Sequence, residues 1–387
     1  MAEAYIVEAV RTAGGRARKG GLIDVHPADM GATILNALVD RTGVDPAAID
    51  DVIVGCVSQA GEQAFALGRN LVLASKLPDS VPAVTIDRQC GSSQQALHFA
   101  AQAIMSGTQD LVIAAGAESM TRVPMGSNYK LHAAAGVGIG PWPKSIQNRY
   151  GVAEFSQFHG AQAVANKYGF TREEMDAYAL ASHAKAAAAI DNGAFKAEIV
   201  GVETPEGLFD IDDGVRRGGT MEAMASVKTL EESGTITAAN ASQMTDGASG
   251  VLVASEAAIK CFNLKPMARI VNLTVTAGDP VIMLEEPIPA TRRAFERSGL
   301  SLNDIDLFEV NEAFAAIPMA WLKAIGADPA KLNVNGGAIA LGHPLGASGT
   351  KLMSTLIHAL KARGKRYGLQ TMCEGGGVAN VTIVEAL

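Results

Sequence analysis

Apolar runs of strand length alternate with stretches of helical period along this chain, and that alternation predicts an α/β architecture. AYIVEAVRT at the start, DVIVGC (51–56), VPAVTI (81–86) and DLVIAAG (110–116) read as strands. Between the last two, QQALHFAAQAIMSG sets Ala96, Phe99, Ala100, Ala103 and Ile104 at helical spacing, with Gly107 where a C-terminal cap belongs.

The second half of the chain repeats this order. IDDVIVGC (49–56) has a counterpart in NDIDLFEVN (303–311), and DLVIAAG is echoed by YGLQTMCEGG (367–376). Each half carries a glycine-rich turn between these runs, one around Cys90 and one around His343, and each turn is followed by a helix-like stretch. Asp51 and Cys90 are separated by nearly the same length as Asp306 and His343, which predicts an internal duplication. The middle, roughly 118–245, matches neither half. It holds GVGIGPWPK (136–144) and two helix-like stretches, about 158–168 and 171–193, the profile of an inserted subdomain that faces substrate. An ordinary connecting excursion is the plainer alternative. GVGIG looks like part of a dinucleotide fingerprint, but Pro141 and Pro143 stand where a helix would have to begin, so it is not read as a cofactor loop.

At 387 residues, 48% apolar and 19% charged, the chain can bury a large core in two or three domains without metals or disulfides. A net charge of −8 gives no general attraction for nucleic acid or an acidic membrane, so an anionic substrate would need a local cationic patch. No apolar run approaches the roughly 18 residues that cross a bilayer. The opening reads as a strand rather than a signal peptide, and the terminal EAL is not a known address signal. Cys56, Cys90, Cys261 and Cys373 are few and scattered, with no metal-binding spacing. A reducing cytoplasm with free thiols is the expected compartment.

Two of those thiols and one histidine sit among glycines: DRQCGSSQQA around Cys90, GGAIALGHPLGAS around His343 and MCEGGG around Cys373. Glycine gives away packing, so such density marks places where backbone must approach something closely. Cys90 closes a strand and opens a helix, whose partial positive end should favour a thiolate nucleophile; the plainer reading is an inert buried cysteine. His343 has the chemistry to take the Cys90 proton, although a lone histidine is often structural. Cys373 begins CEGGG directly after a strand, where successive glycine N–H groups can hold an oxyanion and the thiol can move a proton at carbon. Asn311, in VNEAF, is a candidate to hold a water or an oxyanion.

The chain resembles the thiolase family from its first strand to its last residue. The likeness is carried by QCGSS (89–93), TAANASQMTDGA (237–248), EVNEAFA (309–315), NGGAIALGHPLGASG (335–349) and CEGGG (373–377). The resemblance implies a duplicated, five-layered αβαβα fold with an inserted loop domain. On this chain that means an N-terminal half of 1–117 plus 246–263, a loop domain of 118–245 covering CoA, and a C-terminal half of 264–387. It implies that Cys90 accepts the acyl group, His343 activates it and Cys373 moves the proton on the acetyl carbon. Asn311, through a water, and His343 would form one oxyanion hole; the N–H groups of Cys90 and Gly375 would form the other. Arg216 of GVRRGGT and Ser242 of NASQM align with CoA-contacting positions, Arg216 otherwise reading as a solvated surface charge. The implied reaction is CoA-dependent cleavage of a 3-ketoacyl-CoA to acetyl-CoA and a shortened acyl-CoA, as in fatty acid β-oxidation. CoA would be a co-substrate with no bound cofactor and no metal, and the partners would be acyl-CoAs and further copies of the chain in a homodimer or homotetramer.

Two departures bear on substrate. Acetoacetyl-CoA-specific members carry a His-Met pair in the acyl pocket where this chain has Ser156 and Gln157, and Glu374 occupies a position that is commonly apolar. Both turn the expectation from a biosynthetic acetyl-CoA acetyltransferase, the main alternative, toward degradative bacterial thiolases, including those of steroid or other unusual acyl chains. A decarboxylating ketoacyl synthase would pair its cysteine with two histidines, or with histidine and asparagine, and a non-catalytic acyl-CoA- or sterol-binding protein would not need Cys90, His343 and Cys373 together.

Overall fold

The computed structural model describes residues 2–387. Nine strands form the main path of one mixed sheet. In chain order they are β1 (Tyr5–Thr12), β2 (Asp51–Gly55), β3 (Ala83–Ile86), β4 (Leu111–Glu118), β5 (Thr245–Ala254), β6 (Ala268–Ala277), β7 (Leu307–Val310), β8 (Tyr367–Glu374) and β9 (Val378–Ala386). Their order across the sheet is β7–β8–β9–β6–β1–β5–β4–β2–β3. The two halves mirror one another. β2 runs parallel to β4 and β4 antiparallel to β5, while β7 runs parallel to β8 and β8 antiparallel to β9. They meet at a short antiparallel seam, Tyr5 opposite Arg269 and Ile6 opposite Ala268.

Burial on both faces explains why several strands read as unbroken apolar runs rather than alternating ones. Every residue of β4 and of β5 is buried. Helices α1 (Pro27–Thr42), α2 (Ser92–Ser106), α3 (Gln157–Tyr168), α4 (Arg172–Asp191), α5 (Pro287–Ser298), α6 (Ala316–Ile325) and α7 (Ser348–Ala362) supply the other layers. One core lies between α1 and the outward face of the N-terminal half, through Ile34, Leu38, Val52, Ile113 and Leu252. A second joins α2 and α7 to the inward faces of both halves, through Leu97, Ile104, Val112, Val253, Leu356 and Val384. A third packs α5 and α6 on the outward face of the C-terminal half, through Ala294, Trp321, Phe308 and Ile383. The sequence of layers is therefore helix, sheet, paired helices, sheet, helix, with a single hydrogen-bonded sheet contributing both sheet layers.

The α2 stretch is helical as expected, and Gly107 closes it at φ 75°. Its inward face differs from the spacing argument: Phe99 is 41% exposed, and His98, Gln94 and Gln95 are buried instead. The reason is the layer it occupies. Gln94 Nε2 donates to Thr382 Oγ1 at 2.8 Å and His98 Nε2 lies 2.8 Å from the same hydroxyl, so polar side chains bridge α2 to β9.

Between β4 and β5 the chain leaves the sheet. Ser156 caps α3, and a capping box of Thr171 and Glu174 starts α4. Both helices bury their apolar faces in the C-terminal half's outer core, where Ala161, Val164 and Met175 join Phe314 and Trp321. In GVGIGPWPK no helix begins until Lys144, directly after Pro143.

Candidate active site

The nucleophile candidate sits on a strained turn between β3 and α2. Gln89 holds φ at 48°, a left-handed conformation unusual for a residue with a side chain. Local hydrogen bonds hold it there. Gln89 N donates to Asp87 Oδ1 at 2.7 Å, Arg88 N donates to Ser92 Oγ at 2.9 Å, and Ser92 Oγ donates to the Gln89 carbonyl at 2.6 Å. Cys90 keeps some exposure as a residue while its thiol lies buried, whereas Cys56 and Cys373 are buried throughout and Cys261 is exposed on the surface. Its backbone N–H donates to no acceptor among the described residues.

His343 lies on the turn between the short helix Ala338–Leu341 and α7. Glycines at the carboxyl ends of β2 and β4 make room for this turn. A Cβ at Gly55 would come within 2.6 Å of the Gly346 carbonyl, and one at Gly116 would strike the same oxygen and the Ala347 backbone. His343 Nδ1 donates to Ser348 Oγ at 2.5 Å, and Ser348 Oγ donates onward to the Pro344 carbonyl at 2.9 Å. That relay puts the imidazole proton on Nδ1 and leaves Nε2 an unprotonated acceptor, to which Asn311 Nδ2 donates at 3.3 Å. Leu345, two residues on, packs with Val57 and Met120 into a small apolar cluster against which Cys90 and Met125 also rest.

Cys373 is the penultimate residue of β8, wholly buried, and Asn311 directly follows β7. Asn311 Oδ1 is buried and has no partner among the described residues. The turn Gly375–Gly377 lies against the Cys90 loop. A Cβ on Gly91 would land inside the Glu374 carboxyl group, and one on Gly375 would lie 2.8 Å from Gln89 Oε1. The Gly375 N–H, like that of Cys90, donates to no acceptor among the described residues. The Cys90 loop and the turn after Cys373 thus lie together, each with an unengaged N–H group, and the His343 turn joins the same apolar cluster through Leu345, which equips the site to move a proton and hold negative charge on oxygen.

The electrostatics correct one expectation. The start of α2 does not make Cys90 a resting thiolate. Burial pushes its thiol well above the usual range, reinforced by Cys373 and Glu374. Burial likewise raises Cys373 to about 12, with Glu374 adding to it. The partial charge of a helix end is a short-range effect, and here it is outweighed by the loss of water around sulfur. His343 moves the other way, down to about 3, through burial and then the Lys351 charge. Cys90 and His343 therefore rest as a neutral thiol and a neutral imidazole.

The binding candidates are distributed unevenly. Arg216 is exposed, and its side chain makes no ion pair among the described residues; its neighbour Arg217 is bound to Asp191 at 2.7 and 2.8 Å. Ser242 precedes Gln243, whose carbonyl accepts the His343 N–H at 3.0 Å, so Ser242 stands beside the histidine turn. Gln157 donates to Met125 Sδ at 3.6 Å and so reaches the apolar cluster beside Cys90. Ser156 accepts the His159 N–H at 3.3 Å as the cap of α3. A cavity of about 310 Å³, lined by Phe195, Lys196, Leu208 and Ile211 among others, includes none of these residues.

Several supporting residues escaped the sequence reading. The buried Glu118 carboxylate accepts N–H groups from Val57 (2.8 Å), Ser58 (3.0 Å) and Gly346 (2.9 Å), tying the histidine turn to the N-terminal half. Glu312 accepts from Ser182 (2.7 Å), Tyr178 (3.0 Å) and Asn333 (3.0 Å), and fixes the segment after Asn311 to α4. Gln243 Nε2 donates to the Gly214 and Ile339 carbonyls at 2.8 and 2.9 Å. The one available signal was an acidic residue inside an otherwise apolar run, as in AAGAES and EVNEAF.

Comparison with known proteins covers almost the whole chain. Residues 4–257 match the family model described as thiolase, N-terminal domain, and residues 264–386 match thiolase, C-terminal domain. A steroid 3-ketoacyl-CoA thiolase of Mycobacterium tuberculosis is 54% identical over 389 residues, covering 100% of this chain and 95% of the relative. A 3-ketoacyl-CoA thiolase of Bacillus subtilis is 39% identical over 399 residues with both chains fully covered. One from Salmonella typhimurium is 39% identical over 396 residues, again with both fully covered.

Proposed function

The chain belongs to the thiolase family and is an acyltransferase; from that premise we propose that it is a degradative 3-ketoacyl-CoA thiolase working through an acyl-enzyme on Cys90. The observation that carries this is the Cys90 loop packed against the Gly375 turn that follows Cys373, with unengaged N–H groups at Cys90 and Gly375, beside the His343 turn whose imidazole pairs with Asn311.

Cys90 Sγ attacks the 3-keto carbon as its proton passes to His343 Nε2. Because both partners are neutral at rest, the proton leaves only as the sulfur–carbon bond forms. The N–H groups of Cys90 and Gly375 hold the oxyanion that develops on the attacked carbon. The bond between C2 and C3 then breaks, and the electron pair becomes the enolate of acetyl-CoA. Its thioester oxygen is held by protonated His343 and by a water on Asn311. The Cys373 thiol gives its proton to C2 and acetyl-CoA departs. In the second half the thiol of free CoA attacks the acyl group on Cys90 and gives its proton to the Cys373 thiolate. Cys90 leaves and recovers its proton from His343, so every group returns to its starting state. One oxyanion donor of this kind is worth about 2.7–4 kcal/mol.

Arg216 and Ser242 are the CoA contacts in this reading, with Arg216 the local cation in an acidic chain. Residues 118–245 act as the covering loop domain between the halves 1–117 plus 246–263 and 264–387. Gln157, with Ser156 behind it, shapes the acyl pocket through Met125. The substrates are 3-ketoacyl-CoAs longer or bulkier than acetoacetyl-CoA, a view supported by the steroid thiolase among the relatives. CoA serves as co-substrate without a bound cofactor, and the protein works as a cytoplasmic homodimer or homotetramer. No described helix is long and apolar enough to cross a membrane. The test is acetyl-CoA formation from a 3-ketoacyl-CoA and free CoA. A wild-type protein that binds such a thioester without cleaving it refutes the proposal.

A further inference from the structure

The reaction uses no lysine, yet Lys351 is buried on the first turn of α7, eight positions after His343. Its Nζ donates to the carbonyls of Leu341 (2.5 Å) and Gly342 (3.0 Å), the two that immediately precede the imidazole. Gly342 holds φ at 82°, and a Cβ there would strike Thr245. That backbone turn is therefore open to glycine alone, and it aims both carbonyls at the ammonium.

A buried charge needs partners. The charged groups facing Lys351 are Asp212, Arg11 and Glu198. Asp212 accepts from Arg11 Nη1 and Nη2 at 2.8 and 3.0 Å and from the Gly14 N–H at 2.7 Å. Arg11 Nε donates to Glu198 at 2.6 Å, and Thr355, one turn beyond Lys351 on α7, donates to the same carboxylate at 2.8 Å. The Arg11 cation and the Lys351 amine, which burial lowers to about 7, are thus enclosed with two carboxylates. Asp212 lies four residues before Arg216, on the strap whose Gly214 carbonyl is held by Gln243. On the other side of the histidine turn the charged neighbour is Glu118, bound to the Gly346 N–H.

We propose that Lys351 is a positioning residue for His343: its ammonium grips the two carbonyls before the imidazole, and the Asp212–Arg11–Glu198 cluster behind it couples that turn to the strap carrying Arg216. The inference rests on the thiolysis reading above, with His343 as the base. Lys351 acts in two ways. It fixes the direction of Nε2, and its positive charge disfavours a proton on His343, which burial already disfavours.

The experiment compares the full-length wild type with Lys351→Met, Lys351→Arg and Lys351→Gln in thiolysis, each at a range of pH and each checked for its melting temperature. Lys351→Met loses kcat by roughly tenfold to a hundredfold. KM for the 3-ketoacyl-CoA stays within about twofold, because the loss falls on the transition state. The acid limb of kcat/KM moves up by about one pH unit, since the imidazole no longer faces a cation. Lys351→Arg, which keeps charge and donors, recovers most of kcat. Lys351→Gln keeps a donor without the charge; it shows the same shift of the acid limb and covers the case in which the methionine variant does not fold. Wild-type turnover separates the two ideas: without it the thiolase reading falls and this one with it, and with it the variants alone decide. A folded Met or Gln variant with the wild-type acid limb and kcat overturns the proposal, as does an Arg variant no better than Met.

Discussion

Cys373 differs from Cys90 in having one task, moving a proton at carbon. Cys373→Ala should therefore still take an acyl group onto Cys90 from a simple acyl-CoA, while carbon–carbon cleavage falls by about 10²–10⁴-fold, the range for a lost general acid. Single-turnover acylation and steady-state thiolysis on the same sample check this, and cleavage at the wild-type rate removes Cys373 from the mechanism. A second prediction concerns His98, which burial takes down to about 3 from an ordinary 6.5. A histidine depressed in the folded state contributes stability that is whole above the unfolded pKa. That stability drains away as pH falls toward the folded value. At pH 5 the loss for this one group amounts to about 2 kcal/mol. Chemical denaturation at pH 7.5 and pH 5 should find a smaller acid loss in His98→Gln than in the wild type; equal losses would mean that His98 is not held neutral. At this scale the reactive residues were legible because thiol and imidazole chemistry stands out among glycines. Their supports were not. Glu118, Gln243 and Lys351 act through distant backbone groups, and such pairings leave no spacing in the sequence. The Cys90 thiolate was misjudged because a helix end is visible in sequence and the depth of burial around sulfur is not.

At the scale of elements, the strand ends carry the site. β2 finishes in Gly55 and β4 carries Gly116 two residues before its end, and the His343 turn rests on both. Gly116→Ala would push a methyl group into the Gly346 carbonyl and the Ala347 backbone, neither of which can rotate away. Overpacking of this kind destabilises by about 1–3 kcal/mol. It should also lower kcat, because the displaced segment carries the imidazole. Denaturation midpoints and kcat measured together check this, and a variant matching the wild type in both would show that the turn has slack. The periodicity argument found the strands and the paired helices but misjudged Phe99. It assumed a purely apolar inner face, whereas α2 meets α7 on one side and the hydroxyl of Thr382 on another.

At the scale of the molecule, the duplication was legible as matched order and spacing, and the mirrored sheet displays it. The seam at Tyr5 and Ile6 was not, because two residue pairs joining the halves impose no pattern on either strand. With Gln157 reaching the apolar cluster at Cys90 through Met125, a panel of 3-ketoacyl-CoAs should show kcat/KM rising by about tenfold or more beyond acetoacetyl-CoA, since one fitted methylene is worth about 1–3 kcal/mol. A steady fall along the series would restore the short-chain alternative. The most direct test of the whole account is peptide mass spectrometry of the enzyme quenched after mixing with a 3-ketoacyl-CoA in the absence of free CoA. The expected result is one equivalent of acetyl-CoA released and the shortened acyl group on Cys90. An acyl group on Cys373 with Cys90 free, or acetyl-CoA released with no acyl group on the protein, would contradict it.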